Sequence, residues 1–412
     1  MSLLSVDEAR ERILSHFHPV ATETLPLLEC AKRVLAQDIP ATTELPLFDN
    51  SSMDGFAIRV ADVLDATAAS PRSLRVVTDI PAGLSPTISL APGEAARIMT
   101  GAQLPNGADA VIPVEDTDFS NRDAGSHAPE FVLISKSVNS GENIRPRGMD
   151  IHTGQVVLNK GRTLKPQDLG LLAMLGYANI PVHRKARLAL FSSGNELLEV
   201  DAPLEPGKIR DSNSYTIAAL IEDAGADVIR LGVAKDNHES VKALLEKAVE
   251  LKVDMILSSA GVSVGAFDFV KEVIEANGKL DFWRVNMRPG KPLAFGEYRN
   301  IPFIGLPGNP VSAFVGFEVF VRAAIGKLNG SYNGSRPKVR VRCAEQIDSD
   351  GRESYLRAEV RPEGENSVLI AHLTGHQSSG NLHSLVKANA LLIIPAGVKC
   401  VPAGQEVNAW LI

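Results

Sequence analysis

The stretch RLALFSSGNEL, residues 187–197, predicts a buried strand that leads into a polar loop containing a glycine. Four later apolar runs also predict short strands, at 227–233, 253–259, 282–286 and 301–306. Helical patterns separate the first three strands, as in HESVKALLEKAVELK (238–252), and a last helix is predicted to begin at Pro310. Alternating strands and helices of these lengths are typical of right-handed βαβ units, so this region predicts a parallel sheet with helices on both faces.

The rest of the chain predicts further domains, which makes the protein a multidomain α/β plus β chain. With 412 residues, it has room for roughly three domains of about 150 residues each. Short β-like runs between Gly, Pro and Asn predict a β-rich domain at 46–154, and five β runs at 329–412 predict a small barrel or sandwich. The α/β domain then covers 181–328. Residues 1–45 and 155–180 are predicted to form one discontinuous N-terminal domain.

Composition limits the classes of function. The 42 Lys and Arg residues against 49 Asp and Glu give a net charge of −7, which argues against a surface built to bind nucleic acid. Cys30, Cys343 and Cys400 are odd in number and far apart, so we expect neither a disulfide framework nor a thiolate zinc site, but a cytoplasmic protein. The N-terminus shows no signal-peptide pattern, and residues 310–325 are too short and too charged to span a membrane. We therefore expect a soluble protein with neither membrane nor nucleic acid as partner.

Acidic side chains follow the first three predicted strands of the α/β domain. Glu196 follows the first strand, Asp236 the second and Asp268 the third. Ligands of parallel sheets bind outside the carboxyl ends of the strands, and Mg²⁺ prefers one or two carboxylates together with substrate phosphates. These residues are therefore candidate metal ligands. Asp211, in contrast, directly precedes a predicted helix, and its simplest interpretation is a helix cap.

Cations and glycines at the same edge predict recognition of an anion. Arg284, Arg288 and Lys291 place three cations within eight residues without an acidic residue among them, which suits phosphate oxygens, although a solvated charge run is the common alternative. In SSAGVSVG (258–265), Gly261 and Gly265 allow backbone N–H groups to approach an anion, or simply form a tight turn. This loop matches neither the dinucleotide fingerprint nor the P-loop.

Two stretches outside the α/β domain are rich in turn-forming residues. FDNSSMDGFA (48–57) surrounds a Met-Asp-Gly core, and NIRPRGMDI (143–151) combines two arginines with Asp150. Composition alone is equally consistent with plain turns. The nine histidines show no metal-ligand spacing, and no G-x-S-x-G nucleophile motif is present.

Seven motifs then occur in a specific order: NSSMDGFA, RIMTGA, GENIRPRGMDI, FSSGNEL, SSAGVSVG, RPGKP and GLPGNPVSA. In this order they resemble the molybdopterin molybdenumtransferase family of the MoeA type, which also forms the C-terminal part of gephyrin. The resemblance runs from about Asp7 to the C-terminus. It implies the last step of molybdenum cofactor synthesis, in which molybdate and adenylylated molybdopterin give the molybdenum-loaded pterin and AMP with the help of Mg²⁺. The dithiolene sulfurs of the pterin would take the molybdenum, which agrees with the lack of a thiolate site.

The resemblance also implies roles for individual residues, motif by motif. The implied catalytic residues are Asp54, Thr100, Asp150, Glu196, Asp236 and Asp268, of which Glu196, Asp236 and Asp268 are the implied Mg²⁺ ligands. The implied substrate-binding residues are Arg284, Arg288 and Lys291 for phosphate or molybdate, Gly261, Ser263 and Gly265 for the pyrophosphate region, and Pro307 and Pro310 for the neighbouring loop. The family is similar to a homodimer that uses the N-terminal domain for dimerisation, with the β-rich domain of one subunit completing the pocket of the other. A molybdopterin adenylyltransferase is the implied upstream partner.

Four positions depart from the family pattern, namely Asn195, Ala260, Met149 and Arg288. Asn195 and Met149 each replace a carboxylate, so metal affinity or substrate preference is expected to differ. Two alternatives stay open at this point. The α/β domain alone also resembles the molybdopterin adenylyltransferases, for which consumption of ATP would be the test. A gephyrin-like scaffold without catalysis would instead capture partner proteins.

Overall fold

The computed structural model describes residues 3–119, 127–259, 266–331, 334–365 and 367–412, with the backbone alone for residues 266–268 and 282–283. The chain divides into two compact units. The first unit comprises Met1–Gln37, Lys160–Leu172 and Tyr177–Ile412, and the second comprises Asp38–Asn159 and Ala173–Gly176. Within the described residues, no helix has both the length and the apolar character needed to cross a membrane.

The second unit is built on a five-stranded sheet, which confirms the prediction of a β-rich fold for this part of the sequence. Its strands, in spatial order, are Ala110–Pro113, Gly55–Ile58, Glu94–Ile98, Arg72–Ile80 and Phe131–Ile134. Shorter elements are the strand pairs Asn50–Ser51 with Ile144–Arg145 and Ile39–Pro40 with Val156–Leu158, and the 3₁₀ turns Val60–Asp62 and Val114–Asp116. The strand Gly55–Ile58 was not expected, because it lies in a stretch whose composition indicates turns. Its side chains Phe56 and Ile58 are fully buried in the core of this unit, which outweighs the weak local preference.

Gly55 occupies a place in this sheet where no side chain fits. A Cβ atom on Gly55 would lie 1.9 Å from the carbonyl oxygen of Ile112 on the neighbouring strand. Because that oxygen belongs to the backbone, the strands would have to separate, and Gly55→Ala is expected to lower the free energy of unfolding by about 3 kcal/mol. Denaturant unfolding measures this change.

Gly170 provides the matched control for that substitution. It lies in the helix Pro166–Met174, where an added Cβ would meet no neighbouring heavy atom within 4 Å. Alanine is favoured over glycine inside a helix by about 0.5–1 kcal/mol, so Gly170→Ala is expected to stabilise the protein. A Gly55→Ala protein as stable as the wild type would contradict the close approach of the two strands.

The first unit contains a six-stranded sheet flanked by helices, as predicted for the α/β region. In spatial order its strands are Asp227–Ala234, Arg187–Ser193, Met255–Ser259, Ile301–Leu306, Pro292–Tyr298 and Gly278–Arg284. The helices are Asn213–Asp223, His238–Glu250, Ala266–Glu275, Pro310–Gly316 and Arg322–Leu328, the last two joined by a π-helical turn at Phe317–Val321. Alternate residues of the first strand serve opposite cores: Leu190 packs with the helix Asn213–Asp223, and Phe191 packs with the helix His238–Glu250. Both faces of the sheet are therefore covered.

At one edge the sheet departs from the predicted parallel arrangement. Residues 292–298, PLAFGEY, form an unexpected strand that pairs antiparallel with both Gly278–Arg284 and Ile301–Leu306. Pro292 stands at the first position of the strand, where the sheet needs no hydrogen bond from a backbone N–H. In the sequence, this proline made the run resemble the end of a loop. Because two antiparallel steps restore the direction, Gly278–Arg284 still ends at the same edge as the parallel strands. The carboxyl ends of the four parallel strands and of Gly278–Arg284 therefore share one edge of the sheet.

The N-terminal helix and the short elements around it belong to the same unit. The helix Val6–Leu14 begins at Ser5, whose hydroxyl accepts the backbone N–H of Glu8 at 3.1 Å, and it buries Val6, Ala9 and Ile13. The remaining short elements are the antiparallel pair Thr22–Pro26 with Asn179–His183, the 3₁₀ turn Leu27–Cys30, and the parallel pair Leu197–Leu198 with Ile209–Arg210.

The C-terminal residues form a closed barrel, which settles the choice between barrel and sandwich. Five strands follow each other around it in the order Glu353–Glu363, Val368–Leu373, Lys338–Cys343, Glu406–Leu411 and Ala390–Ile394, and the last pairs with the first. A two-residue pair, Ile347–Asp348 with Cys400–Val401, and the helix Leu382–Val386 complete this region. Met287–Arg288 pairs with the start of the strand Glu353–Glu363, so the loop 285–291 joins the α/β sheet to the barrel.

Candidate active site

A cavity of about 390 Å³ opens at the carboxyl edge of the α/β sheet. Glu196 borders it from the loop after the first strand, and Pro307 and Pro310 border it from the loop after Ile301–Leu306. Asn213 ties these loops together, because its side-chain amide donates to the carbonyl oxygen of Gly308 at 2.7 Å and to the hydroxyl of Ser259 at 2.9 Å. This buried amide gave no recognisable signal in the sequence. The cavity is thus shaped by three strand ends.

Glu196 is held in the cavity wall by the glycine that precedes it. Gly194 has φ +149°, and a Cβ atom there would lie 2.5 Å from a carboxylate oxygen of Glu196. Only a glycine leaves room for the carboxylate in this position. The motif FSSGNEL therefore places an acidic group over the end of its own strand.

Asp236 and Asn195 join the first two strand ends by a reciprocal pair of hydrogen bonds. The backbone N–H of Asn195 donates to Asp236 Oδ2 at 3.0 Å, and the backbone N–H of Asp236 donates to Asn195 Oδ1 at 3.2 Å. The second carboxylate oxygen, Asp236 Oδ1, is buried and has no hydrogen-bond partner among the described residues. An acceptor oxygen in that condition is suited to a cation or a donor from a ligand.

The remaining residues predicted for this edge fall into two groups. Gly261, Ser263 and Gly265 lie outside the described residues, as does Ala260. Asp268 lies in the helix Ala266–Glu275, and its side chain also lies outside what is described. Across the described part of the chain, no three His, Cys, Asp or Glu side chains come together as a metal cluster. Asp211 accepts the backbone N–H of Ser214 at 3.0 Å, which confirms the helix-cap interpretation.

Arg284, Arg288 and Lys291 lie in or beside the loop that connects the two hairpin strands, and all three are exposed. Within the described ranges, the side chains of Arg284 and Lys291 form neither a hydrogen bond nor an ion pair. Arg288 stands 3.8 Å from Asp350, but the hydrogen bond from Arg352 already engages that carboxylate and lowers its pKa. The positive charges of these three side chains are therefore largely without a neutralising carboxylate among the described residues.

A fourth cation, Arg357, is the largest fully buried side chain in the described structure, with 0% exposure. It lies on the barrel strand Glu353–Glu363, where its Nε donates to Ser384 Oγ and one terminal nitrogen donates to the carbonyl oxygen of Ser378, both at 3.0 Å. The other terminal nitrogen, Nη1, is buried with no hydrogen-bond partner among the described residues, and no described carboxylate pairs with the guanidinium. Burial, and secondarily the nearby charge of Arg288, lowers the pKa of Arg357 to about 10.

Arg357 reaches the α/β sheet through the loop that holds it. The carbonyl oxygen of Ser379 accepts the backbone N–H of Val311 at 3.0 Å, directly after Pro310 in the cavity wall. Sequence reasoning missed Arg357 because it lies in an ordinary β run without a motif. Leu356 and Ala358 on either side of it point into the barrel core, so alternation along the strand predicts an arginine on the outer face and gives no signal of its burial.

The three motifs of the second unit also come together in space. Asn50–Ser51 pairs with Ile144–Arg145, and the carbonyl oxygen of Ser51 accepts the backbone N–H of Gly101 at 2.8 Å. One oxygen of Asp54, Oδ1, accepts both the backbone N–H and the hydroxyl of Thr100, each at 2.7 Å. The structure therefore brings Asp54 and Thr100 into direct contact. The pattern of helices and strands in the sequence could not predict this contact.

The same segments expose several large side chains to solvent. Asp150 is exposed, and its backbone N–H donates to the carbonyl oxygen of Leu45 at 2.9 Å. Four large apolar side chains in these motifs or directly beside them are exposed: Leu47, Phe48, Met53 and Met149. Exposed apolar residues grouped in this way usually mark a surface that another molecule covers.

Comparison with known proteins identifies the family. Three family models match successive parts of the chain: the MoeA N-terminal region (domain I and II) at residues 4–176, a probable molybdopterin binding domain at 189–327, and the MoeA C-terminal region (domain IV) at 340–412. A molybdopterin molybdenumtransferase of a Nostoc species is 38% identical over 94% of this chain and 88% of its own length. Molybdopterin molybdenumtransferase 2 of Mycobacterium tuberculosis is 37% identical over 98% of this chain and 99% of its own length.

The chain belongs to the MoeA family. This confirms the resemblance found in the sequence. A crystal structure of a molybdopterin biosynthesis MoeA protein from Pyrococcus horikoshii OT3 superposes with a TM-score of 0.84, at 31% identity and with complete coverage of both chains. The candidate residues are spread over all three matched MoeA regions: Asp54 and Thr100 in the first, Glu196 and Asp236 in the second, and Arg357 in the third.

Proposed function

We propose that this enzyme is a molybdopterin molybdenumtransferase, which transfers molybdenum from molybdate to adenylylated molybdopterin with release of AMP. Curated relatives in several bacteria carry the name molybdopterin molybdenumtransferase over nearly the full length of this chain. The observation that carries the proposal in the structure is Arg357, a buried guanidinium without a described counter-ion, whose surrounding loop is hydrogen-bonded at Ser379 to Val311, the residue after Pro310 in the cavity wall. A site for a multiply charged anionic substrate supplies the missing charge.

The cations of this edge would hold the anionic groups of the two substrates. Arg357 offers a free Nη1 donor in a buried setting, where a charge-assisted hydrogen bond is stronger than in water. Arg288 contributes its field there, as the lowered pKa of Arg357 indicates. Arg284 and Lys291 would extend the positive charge outward along the sheet edge, and Pro307 and Pro310 form part of the cavity wall. Gly261, Ser263 and Gly265 remain proposed contacts of the pyrophosphate region.

Mg²⁺ fits the carboxylates at the first two strand ends. Asp236 Oδ1 is buried without a protein partner, and Glu196 reaches the cavity from the adjacent strand. Hard divalent cations with phosphate substrates commonly use one or two carboxylates, so Glu196 and Asp236, with Asp268 as a third proposed ligand, would hold the ion. When bound, Mg²⁺ would neutralise part of the phosphate charge that opposes cleavage of the phosphoanhydride.

The residues of the chain itself supply position and electrostatics. The proposed chemistry is substitution without oxidation or reduction. Water cleaves the phosphoanhydride bond, which releases AMP and two protons. The two thiol groups of the pterin replace two oxygens of molybdate, and these oxygens leave as two water molecules with the two thiol protons and the two protons from hydrolysis. The cations bind the phosphate and molybdate oxygens, and the loops tied by Asn213 hold the cavity in shape. Fixed donors of this kind stabilise developing negative charge at no cost in reorganisation.

We further propose that the enzyme acts as a homodimer. The segments of the second unit that carry Asp54, Thr100 and Asp150 would close the pocket of the other subunit. The support is the group of exposed apolar residues Leu47, Phe48, Met53 and Met149 in the segments that carry Asp54, Thr100 and Asp150. A molybdopterin adenylyltransferase is the proposed supplier of the adenylylated pterin. The free cysteines Cys30, Cys343 and Cys400 support a cytoplasmic location.

The proposed function is tested by incubating the purified protein with adenylylated molybdopterin and measuring AMP. Release is expected only when molybdate and Mg²⁺ are both present, with ATP neither required nor consumed. No release under these conditions would overturn the proposal. Consumption of ATP with formation of the adenylylated pterin would instead identify an adenylyltransferase.

A further inference from the structure

The first unit contains a second cavity, of about 740 Å³, which shares no lining residue with the cavity at the sheet edge. It lies between the N-terminal helix, the helix Arg322–Leu328 and the segment that leads into the barrel. Its described lining residues are Arg10, Leu14, Pro19, Ala323, Lys327, Gly330, Ser331, Gly334, Ser335, Arg336 and Pro337. None of them takes part in the proposed reaction.

Positive charge dominates this second cavity, because its described lining contains three cations and no acidic residue. Arg336 is neutralised by Glu318 and Asp223, each at 2.9 Å. Arg10 and Lys327 have no carboxylate partner in the described parts of the chain. Two uncompensated cations in one cavity stand out in a protein of net charge −7.

Both uncompensated cations have donor capacity left. Arg10 donates through one terminal nitrogen to Ser335 Oγ at 2.7 Å, while its Nε is buried without a described partner. Lys327 Nζ donates to the carbonyl oxygen of Leu14 at 2.7 Å, which uses one of its three hydrogens. A buried N–H without a partner is uncommon in proteins and points to a missing acceptor.

Two glycines meet at the border of the cavity, and apolar residues form part of its wall. Gly326 and Gly334 meet so closely that a Cβ atom on Gly326 would lie 2.7 Å from the Cα atom of Gly334. Leu14, Pro19 and Ala323 form apolar wall beside the cations. A volume of this size lies within the range of pockets that take small organic ligands, about 300–1,000 Å³.

We infer that this cavity binds a small organic anion, with a phosphate or carboxylate head on Arg10 and Lys327 and an apolar body against Leu14, Pro19 and Ala323. The head would satisfy the open N–H of Arg10 and balance both charges. The body would replace water on the apolar wall.

Phenyl phosphate is the probe, since it combines both features, and calorimetric titration measures its binding. Saturable binding to the wild type is expected, with affinity reduced about tenfold by Arg10→Gln and by Lys327→Gln, because each removes one charge-assisted hydrogen bond. Arg12→Gln is the matched control: Arg12 lies on the same helix but pairs with Glu8 and does not line this cavity. Lys291→Gln removes a cation of the sheet edge instead and is expected to leave this binding intact.

Each other outcome contradicts the inference. The absence of saturable binding would overturn it, as would binding that is lost in Lys291→Gln but unchanged in Arg10→Gln and Lys327→Gln. Equal affinity for phenol would rule out recognition of the anionic head, and equal affinity for inorganic phosphate would rule out the apolar wall. Thermal unfolding of each variant shows that it is folded, and AMP release is expected to continue in Arg10→Gln, so this test fails or succeeds separately from the proposed function.

Discussion

Replacement of Asp236 by asparagine is expected to slow AMP release about hundredfold at saturating substrates, which is the usual effect of removing one preorganised charge that stabilises a transition state. Asp236 Oδ1 is buried without a described protein partner, and Asp236 is hydrogen-bonded to Asn195, which precedes the cavity residue Glu196, so its charge is available to a bound cation. An asparagine can still accept the backbone N–H of Asn195 through its carbonyl oxygen, and the loop should keep its shape. The affinity for the adenylylated pterin is expected to change by less than about threefold, because the lost interaction belongs to the reacting groups.

Asp227→Asn is the matched control for this variant. Asp227 begins the strand that Asp236 follows, so it lies at the opposite end of the same strand, is exposed, and stands 3.8 Å from Lys185. It is expected to leave the rate unchanged. A titration with Mg²⁺ followed by calorimetry adds a readout that does not depend on turnover, and weaker binding is expected only in Asp236→Asn. If Asp236→Asn turns over as fast as the wild type, Asp236 merely joins two loops.

The sequence predicted those elements whose local pattern agrees with their burial. The strand Arg187–Ser193 is buried on both faces, so its apolar run was unambiguous, and the five barrel strands were recognised from short β runs. In the α/β sheet and the five-stranded sheet, two strands were missed, Gly55–Ile58 and Pro292–Tyr298. Both follow directly on turn-forming residues, and both are defined by their partners across the sheet, which local preference does not record.

The residues of the candidate site also divide into those that the sequence predicted and those that it did not. Glu196 and Asp236 could be placed at one edge because the direction of parallel strands determines where their loops lie. Asp54 and Thr100 could only be proposed through the family resemblance, since their contact joins two strands of the second unit. Asn213 and Arg357 were missed altogether, because their significance comes from burial, from hydrogen bonds to residues distant in sequence and, for Arg357, from an unmet hydrogen bond.

Replacement of Arg357 by methionine is expected to lower kcat/KM for molybdate by about hundredfold or more, since loss of one partner of a buried charged hydrogen bond costs about 2–5 kcal/mol. The variant should nevertheless fold. Methionine is shorter but flexible and apolar, and removal of a buried charge without a described counter-ion relieves a desolvation cost that offsets the lost hydrogen bonds to Ser384 and Ser378. Arg357→Lys keeps the charge without the planar fork and is expected to recover part of the activity.

A measurement without turnover separates anion binding from a structural role of Arg357. Molybdate should raise the melting temperature of the wild type, because a ligand that binds only the folded state stabilises it, and this shift should disappear in Arg357→Met. Arg361→Met is the matched control on the same barrel strand, where Arg361 is exposed and pairs with Glu363 at 2.7 Å, and it should keep the full shift. If Arg357→Met keeps the molybdate shift but melts far below the wild type, Arg357 holds only the loop at Ser378 and Ser384. Loss of the shift at a nearly unchanged melting temperature, in contrast, is the result expected of a cation that the protein keeps for its substrate.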